Sequence, residues 1–360
     1  MVAPFPPGDI MQKTIETIFG DTEGVAYSFP VFRFEGTDSQ APKAYLQAAL
    51  HAGELPGTVA IDALMPQLRK AEAEGRIRGA ITLVPHANPV GRAQYHFGSV
   101  QGRFHLGTRT NFNRDFPLLE KPDASPLRAK GGTVDERLKH RLLNLSMGHE
   151  IVLDLHCDDE GVDYLYVPKA LWPAMEDCAA AMGVAAVILW EGSSGASFDE
   201  ASLHPYLQMP AQEAGLEHRA VTTVEYRGLL DVDRSLAQSD ADGLYRLLVA
   251  RGVIEDEALP PVGFFAGLVV PIKNIEMVIA PRAGAILFDV KPGDRVKKGD
   301  RLATIVHAAG EEGGSTDVFA PQAGYILTRV VRRSTYAGDD LVKLVGDAPS
   351  ASTREGALED

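Results

Sequence analysis

Short apolar runs alternate with longer amphipathic stretches through most of the chain. Aliphatic runs predict buried strands at 44–52, 80–89, 150–158, 183–190 and 220–226. Apolar residues three and four positions apart predict helices at 55–74, 133–148, 168–182 and 235–252. This alternation predicts an α/β fold whose sheet is mostly parallel or mixed, with helices on both faces. Sites in such sheets gather at the carboxyl ends of the strands.

The pattern changes around residues 255–275, where Pro, Gly and acidic residues replace the strand–helix alternation. No further long amphipathic stretch follows this segment. We therefore predict a first domain at 1–262 and a small all-β domain at 263–347. The last residues, 348–360, are small and polar, which predicts a flexible tail.

The second predicted domain contains an internal repeat. The segment VIAPRAGAILFDVKPGDRVKKGDRL at 278–302 returns as VFAPQAGYILTRVVRRSTYAGDDL at 318–341. Short strands with Pro and Gly turns, built twice, indicate a β-barrel or sandwich of two similar halves. The repeat resembles the barrel-sandwich hybrid of biotinyl and lipoyl domains, which display a carrier lysine between the halves. The segment at 307–317 has no lysine, so we expect a structural or assembly role.

Charge and composition narrow the classes of function. The 360 residues include 35 Lys and Arg against 49 Asp and Glu, a formal net charge of −14, which disfavours nucleic acid as a partner. No apolar run reaches the ~20 residues of a membrane-spanning helix, so no membrane partner is expected. The start of the sequence lacks a signal-peptide pattern and there are only two cysteines, which together favour the reducing cytoplasm.

Two predicted strand ends carry side chains suited to a metal ion. The motif HAGE places His51 and Glu54 just after the strand at 44–52, and His156 ends the strand at 150–158. Two imidazoles and one carboxylate, with a fourth position for water, are typical of a catalytic zinc site. Asp154 lies on the same strand face as His156 and is a candidate hydrogen-bond partner for an imidazole N–H. Cys157 is expected to point to the opposite face and to pack there.

Five motifs in order resemble the succinylglutamate desuccinylase and aspartoacylase family of the zinc carboxypeptidase superfamily. They are HAGE at 51–54, Asn-Pro at 88–89, NRDFP at 113–117, Asp-Leu-His at 154–156 and TTVEYRG at 222–228. The resemblance covers about residues 40–230. One departure is Asn-Phe-Asn-Arg at 111–114, where the family often has Asp-Leu-Asn-Arg.

The resemblance implies roles for further residues. Glu225 would be the general base, and Asn113 and Arg114 would bind the α-carboxylate of the substrate. An arginine between the Asn-Pro and Asn-Arg motifs would stabilise the oxyanion. The candidates are Arg92, Arg103 and Arg109; we favour Arg103 as catalytic and keep Arg109 among the substrate-binding residues.

Several other residues carry no predicted role. Five histidines lack ligand partners at readable spacing: His86, His96, His105, His140 and His149. The Gly- and Ser-rich segment 191–206 is expected to be either a mobile lid or a plain loop. Its serines lie in no nucleophile elbow, and phosphate-binding glycine motifs are absent from the sequence.

Together these observations predict a zinc-dependent amidohydrolase that removes the acyl group from a small N-acyl amino acid, with one Zn²⁺ per chain. One alternative is a metallocarboxypeptidase acting on short peptides, because the zinc chemistry is shared. Another is an inactive protein that binds a small ligand or serves assembly. A homo-oligomer is compatible with the sequence.

Overall fold

The computed structural model describes residues 11–128 and 131–351. Its helices are α1 (Pro56–Ala73), α2 (Pro89–Ala93), α3 (Val134–Ser146), α4 (Glu176–Met182), α5 (Phe198–Leu207), α6 (Ala211–Ala214) and α7 (Arg234–Ala250). The strands up to residue 271 are β1 (Gln12–Phe19), β2 (Ala26–Phe34), β3 (Ala44–Ala48), β4 (Ile81–Val84), β5 (Tyr95–His96), β6 (Ser99–Val100), β7 (Ile151–Asp158), β8 (Glu160–Gly161), β9 (Tyr164–Pro168), β10 (Ala186–Trp190), β11 (Ala220–Gly228) and β12 (Leu268–Pro271). None of the described helices is long and apolar enough to cross a membrane.

Nine strands form one mixed sheet in the order β1-β2-β4-β3-β7-β11-β9-β10-β12. The pairs β3/β4, β3/β7, β7/β11, β9/β10 and β10/β12 are parallel, and the other three are antiparallel. The predicted mixed, mostly parallel α/β fold is therefore confirmed. The central strands β3 and β7 are buried along almost their whole length, which explains why they read as continuous apolar runs.

Helices cover both faces of this sheet. Helix α1 approaches one face so closely that a Cβ on Gly57 would lie 2.6 Å from Cβ of Leu155 and 3.1 Å from Cβ of Ala48. Glycine is therefore required at this contact. On the opposite face, Phe198 of α5 packs on the ring of Tyr45 in β3 at 5.9 Å.

Two predicted elements differ from the structure. The helix predicted at 168–182 is divided into a short 3₁₀ turn at Lys169–Leu171 and helix α4. Pro173 lies between them, and its missing N–H and its ring prevent a continuous helix. The segment 191–206 is a loop only up to Ser197, because α5 begins at Phe198. Within the nine-stranded sheet, β1, β2, β9 and β12 were not predicted. Strand β1 forms the open edge of the sheet, where most of its residues are exposed and the apolar pattern is weak.

The repeat region folds into two antiparallel sheets. Its strands are β13 (Ile275–Ile279), β14 (Gly284–Phe288), β15 (Arg295–Val296), β16 (Arg301–Val306), β17 (Ser315–Phe319), β18 (Gly324–Arg329), β19 (Ser334–Thr335) and β20 (Asp340–Gly346). The sheets have the orders β13-β20-β18-β15 and β17-β16-β14-β19. Equivalent residues of the two repeats, such as Ile286 and Ile326, are buried in one shared apolar core. The predicted barrel-sandwich hybrid and the boundary after residue 262 stay predictions; β12 extends the large sheet beyond that boundary.

The repeat region is attached to the large sheet by pairing, apolar packing and ion pairs. Strand β8 pairs with β18, and Glu160 of β8 accepts hydrogen bonds from Arg329 and Arg333. Lys343 of β20 forms a buried ion pair with Asp158 at the end of β7. Near the end of the described residues, Ser350 donates its backbone N–H to the carbonyl of Lys273 at 2.8 Å. Residues 352–360 of the predicted flexible tail lie outside the described residues.

The ion pair of Lys343 and Asp158 supplies a test of this attachment. Lys343→Met removes the cation and leaves the Asp158 carboxylate buried, which is expected to destabilise the protein by about 3 kcal/mol. Urea-induced unfolding followed by circular dichroism measures the change. Lys70→Met is the matched control, because the Lys70 side chain is 72% exposed beside Glu74 and its loss should change little. Equal midpoints for the two variants would contradict the proposed attachment.

Candidate functional site

The site lies where the parallel strands β3 and β7 end side by side. Strand β3 ends at Ala48, which is in register with Leu155 of β7. The chain then turns through the HAGE motif, and the backbone N–H of Glu54 donates to the carbonyl of His51 at 2.9 Å. His156 lies two residues before the end of β7. The sheet therefore brings His156 to His51 and Glu54, although Glu54 and His156 are 102 positions apart in the sequence.

Glu54 connects the two histidines. Its Oε1 lies 2.9 Å from Nδ1 of His51, and its Oε2 lies 2.7 Å from Nδ1 of His156. All three residues are buried, and one ligand atom from each lies within 4.8 Å of the others. His51, Glu54 and His156 could therefore hold a metal ion together, as the sequence predicted. Within residues 11–128 and 131–351 this is the one such group of three.

Each imidazole ring lies between two oxygen acceptors. Oδ1 of Asn111 lies 2.9 Å from Nε2 of His51 and also accepts the backbone N–H of Asn113, which identifies this atom as the oxygen. Nε2 of His156 lies 2.9 Å from Oδ2 of Asp154. On the other side of each ring, Nδ1 faces an oxygen of Glu54, so a hydrogen on Nδ1 can donate to that carboxylate. A metal ion bound at Nδ1 would take the place of this hydrogen, while Asn111 and Asp154 keep the two Nε2 atoms hydrogen-bonded.

Asp154 is itself held by a buried chain of hydrogen bonds. Nε2 of Gln47 donates to Oδ1 of Asp154 at 3.0 Å, and the hydroxyl of Tyr45 donates to Oε1 of Gln47 at 2.8 Å. Since a carboxylate only accepts, Asp154 faces the NH₂ group of Gln47, and Oε1 of Gln47 is left to accept from the Tyr45 hydroxyl. Tyr45 and Gln47 come from β3, so the neighbouring strand orients the ligand on β7.

The charges of the group stabilise one another. Burial opposes ionisation of Glu54, but His51 and His156 outweigh it and hold the pKa of this carboxyl below its usual range. Burial opposes the charged form of His156 as well, yet Asp154 and Glu54 raise its pKa well above the ordinary value. Burial lowers the pKa of His51. A proton and a metal ion would compete for the same ring nitrogens.

Glu225 lies beside this group without a hydrogen-bond partner on one oxygen. It is on β11, in register with His156 on β7. Its Oε2 is buried and has no hydrogen-bond partner among the described residues. Burial raises the pKa of Glu225 to about 8, helped by the charges of Glu54 and Asp158. A carboxyl with this pKa can exchange a proton near neutral pH.

The three candidate arginines occupy different places. Arg103 lines the cavity, with Nη1 3.7 Å from Oε1 of Glu54. Its loop packs tightly on the HAGE turn, because a Cβ on Gly102 would lie 2.7 Å from the backbone nitrogen of Ala52. Arg92 and Arg109 are exposed and do not line the cavity. The structure therefore brings Arg103, but not Arg109, to the predicted site.

Asn113 and Arg114 both line the cavity, as predicted. Oδ1 of Asn113 accepts the backbone N–H of Phe198 at the start of α5, which anchors this helix to the site. Nη1 of Arg114 donates to the carbonyl of Asn113 at 2.7 Å. Gly195, whose φ is +78°, lies over the Arg114 side chain. The loop at 191–197 therefore covers the predicted substrate-binding residues.

The cavity is small, with a volume of about 220 Å³. Further lining residues that were not predicted from the sequence come from β9, β10, β11 and the first turn of α5: Tyr166, Trp190, Thr223 and Asp199. Asn111 was also missed, although it lies two positions before Asn113 in the same motif. Cys157 packs in the apolar core but, against expectation, also lines the cavity; burial raises the pKa of its thiol. None of the five histidines without a predicted role lines it.

A second, wider cleft of about 820 Å³ opens on the other side of His51 and Glu54. Residues of the repeat region form part of its wall, among them Val330, Arg332 and Asp340. The β region therefore forms part of the cleft beside His51 and Glu54.

Comparison with known proteins gives a family for this chain. Residues 40–249 match the family model described as the succinylglutamate desuccinylase/aspartoacylase catalytic domain. No curated protein matches the chain.

Solved structures share the fold over almost the whole chain. A succinylglutamate desuccinylase/aspartoacylase family protein from Shewanella amazonensis SB2B is 27% identical, with a TM-score of 0.81, and the match covers 93% of this chain and 99% of that one. The product-bound ectoine utilization protein EutE (DoeB) from Ruegeria pomeroyi is 19% identical, with a TM-score of 0.72 and coverage of 96% and 98%. A succinylglutamate desuccinylase/aspartoacylase from Rhodobacter sphaeroides is 19% identical, with a TM-score of 0.69 and coverage of 94% and 96%.

The family match spans more than half of the chain and includes all five of the motifs named from the sequence. The chain therefore belongs to the succinylglutamate desuccinylase/aspartoacylase family, which is a family of hydrolases.

Proposed function

We propose that the protein is a zinc-dependent amidohydrolase that removes the acyl group from a small N-acyl amino acid. The observation that carries this proposal is the buried group of His51, Glu54 and His156 next to Glu225, whose Oε2 is buried without a hydrogen-bond partner among the described residues. Two imidazoles and a carboxylate are ligands typical of catalytic zinc sites. The cavity of about 220 Å³ suits a small substrate.

The ligand set fits zinc because each Nε2 already has an oxygen acceptor, which leaves Nδ1 of both rings, on the side of Glu54, for the metal. When bound, zinc supplies Lewis acidity, which polarises a carbonyl oxygen and makes water more acidic. His51, Glu54 and His156 would hold the ion. Asp154 and Asn111 would keep the two rings in the required orientation.

The remaining steps belong to residues of the cavity wall. Glu225 accepts a proton from the attacking water and then donates it to the nitrogen of the leaving amine, so that the amide C–N bond breaks. Arg103 stabilises the negative charge that develops on the carbonyl oxygen. Arg114, with Asn113, binds the α-carboxylate through the planar guanidinium. These roles are proposals, and they favour an N-acyl amino acid over a longer peptide because the cavity is small.

The first test concerns the metal. Purified protein is expected to contain one zinc per chain, and His156→Ala should lower the zinc content to near zero because a three-ligand site loses one ligand. Elemental analysis by mass spectrometry measures this. His218→Ala is the matched control, since the His218 side chain is 76% exposed and lies outside the cavity. Equal zinc content in both variants would remove His156 from the metal site.

The second test concerns proton transfer. Glu225→Gln is expected to lower kcat by roughly 10²–10⁴-fold, because general acid–base catalysis contributes about that much. Zinc content should not change. The measurement is steady-state hydrolysis of N-acetyl, N-succinyl and N-formyl amino acids, with short peptides in parallel to test carboxypeptidase activity. Glu217→Gln, on the surface, is the control. Unchanged turnover in Glu225→Gln would exclude this residue as the base.

A third test concerns the hydrogen-bond chain behind His156. Gln47→Leu removes the donor to Asp154, so the imidazole is less firmly oriented and the zinc dissociation constant is expected to rise about 10–100-fold. Competition with a chromophoric chelator measures this constant. Gln40→Leu, at an exposed position, is the control. A dissociation constant equal to that of the control would mean that the chain does not support the ligand.

A further inference from the structure

A buried carboxylate that takes no part in the proposed chemistry lines the cavity. Asp199 lies in the first turn of α5 and is only 4% exposed. Its Oδ1 accepts a hydrogen bond from the hydroxyl of Ser197 at 2.5 Å. The other charged groups that act on it are carboxylates, those of Asp154 and Glu200. Among the described residues, no cationic side chain forms an ion pair with it.

Several other buried acids in this protein have cationic partners, whereas Glu200 accepts hydrogen bonds from Ser194 and Ala196 instead. Asp158 is paired with Lys343, Asp240 with Arg227, and Glu54 with the two histidines. A buried carboxylate without a counter-charge is costly, and burial accordingly raises the pKa of Asp199. Because Asp199 faces the cavity and has no ion-pair partner among the described residues, a ligand in the cavity could supply the positive charge.

The other charges of the cavity support the same conclusion. Only two arginines line it among the described residues, and Arg103 lies near Glu54. Arg114 is assigned to the α-carboxylate by the proposed function. Glu191 is at the rim, where it accepts a hydrogen bond from Lys169 at 2.9 Å. A second carboxylate, as in an N-acyl aspartate or glutamate, would meet no further arginine there and would be repelled by Asp199.

We propose that Asp199 binds a positively charged side-chain group of the substrate, so that the preferred substrates are N-acyl derivatives of diamino acids. The ammonium group would donate to the carboxylate of Asp199 while Arg114 holds the α-carboxylate. This inference rests on the proposed function, because it takes the orientation of the substrate from the assignment of Arg114.

Wild-type protein with zinc tests the preference directly. N-acetyl-ornithine, N-acetyl-norvaline and N-acetyl-glutamate have side chains of similar length that are cationic, neutral and anionic. The expected kcat/KM is about 10-fold or more higher for the ornithine derivative than for the norvaline derivative, because a hydrogen bond to a charged group gives about that discrimination. The glutamate derivative should be the poorest. Equal values, or a preference for glutamate, would overturn the proposal.

The variant Asp199→Asn locates the preference. Asparagine keeps an oxygen for the Ser197 hydroxyl but removes the charge. The kcat/KM for N-acetyl-ornithine should fall about 10–100-fold, whereas that for N-acetyl-norvaline should change less than about threefold. Asp62→Asn, at an exposed position of α1, is the control. Equal losses for both substrates would show that Asp199 has only a structural role.

Binding separates this inference from the proposed function. Calorimetric dissociation constants of N-acetyl-ornithine and N-acetyl-norvaline are measured on Glu225→Gln, with and without Asp199→Asn. If the ornithine derivative binds selectively and this selectivity disappears with Asp199→Asn, the cationic subsite is supported. Absence of hydrolysis of any N-acyl amino acid by the wild-type protein would then refute only the proposed amidohydrolase activity. Equal binding of the two compounds would overturn the subsite even if hydrolysis is observed.

Discussion

The carboxylate of Glu54, shared between two imidazoles, is the contact on which the rest of the site depends. It joins the turn after β3 to the end of β7 through hydrogen bonds of 2.9 and 2.7 Å. Because the three groups are buried, none would be favourable alone, and each compensates the charge of another. This mutual dependence explains why a short turn and a distant strand end are held in one geometry. It also places Nδ1 of both rings around one common centre.

The sheet brings together the residues on either side of the Glu54 contact. Parallel strands β3 and β7 end at the same edge, and β11 places Glu225 in register with His156. Gly57 lets α1 approach the face opposite the hydrogen-bond chain. On the face of that chain, Asp154 connects the site to the interior of the sheet through Gln47. The site is therefore supported by strands, which are more rigid than loops.

Much of the site could be predicted from sequence because its residues come in local motifs. His51, Glu54 and His156 follow recognisable apolar strands, so their meeting at one sheet edge follows from parallel order. The role of Glu225 came only from the family resemblance, since a glutamate at the end of a strand has no distinctive pattern. Family membership itself is confirmed by the match over residues 40–249.

Other features depend on tertiary contacts that leave no local pattern. Spacing did not distinguish Arg103 from Arg109; only the packing of Gly102 on the HAGE turn places Arg103 in the cavity. Asp199 was not predicted as a site residue because its helix, α5, was not predicted. The helix follows a Gly- and Ser-rich segment and contains Pro205, and both features are typical of loops. Tyr45 and Gln47 lie in an apolar strand, and the sequence gives no sign that their polar groups form hydrogen bonds toward the site. The partner of Gln47, Asp154, lies on the neighbouring strand β7.

The metal site is tested most directly by X-ray absorption at the zinc edge of the purified wild-type protein. We expect nitrogen and oxygen neighbours only, with the multiple-scattering signature of two imidazoles. A sulfur neighbour, which would come from Cys157 or Cys178, or a spectrum with no imidazole signature, would contradict a site built from His51, Glu54 and His156.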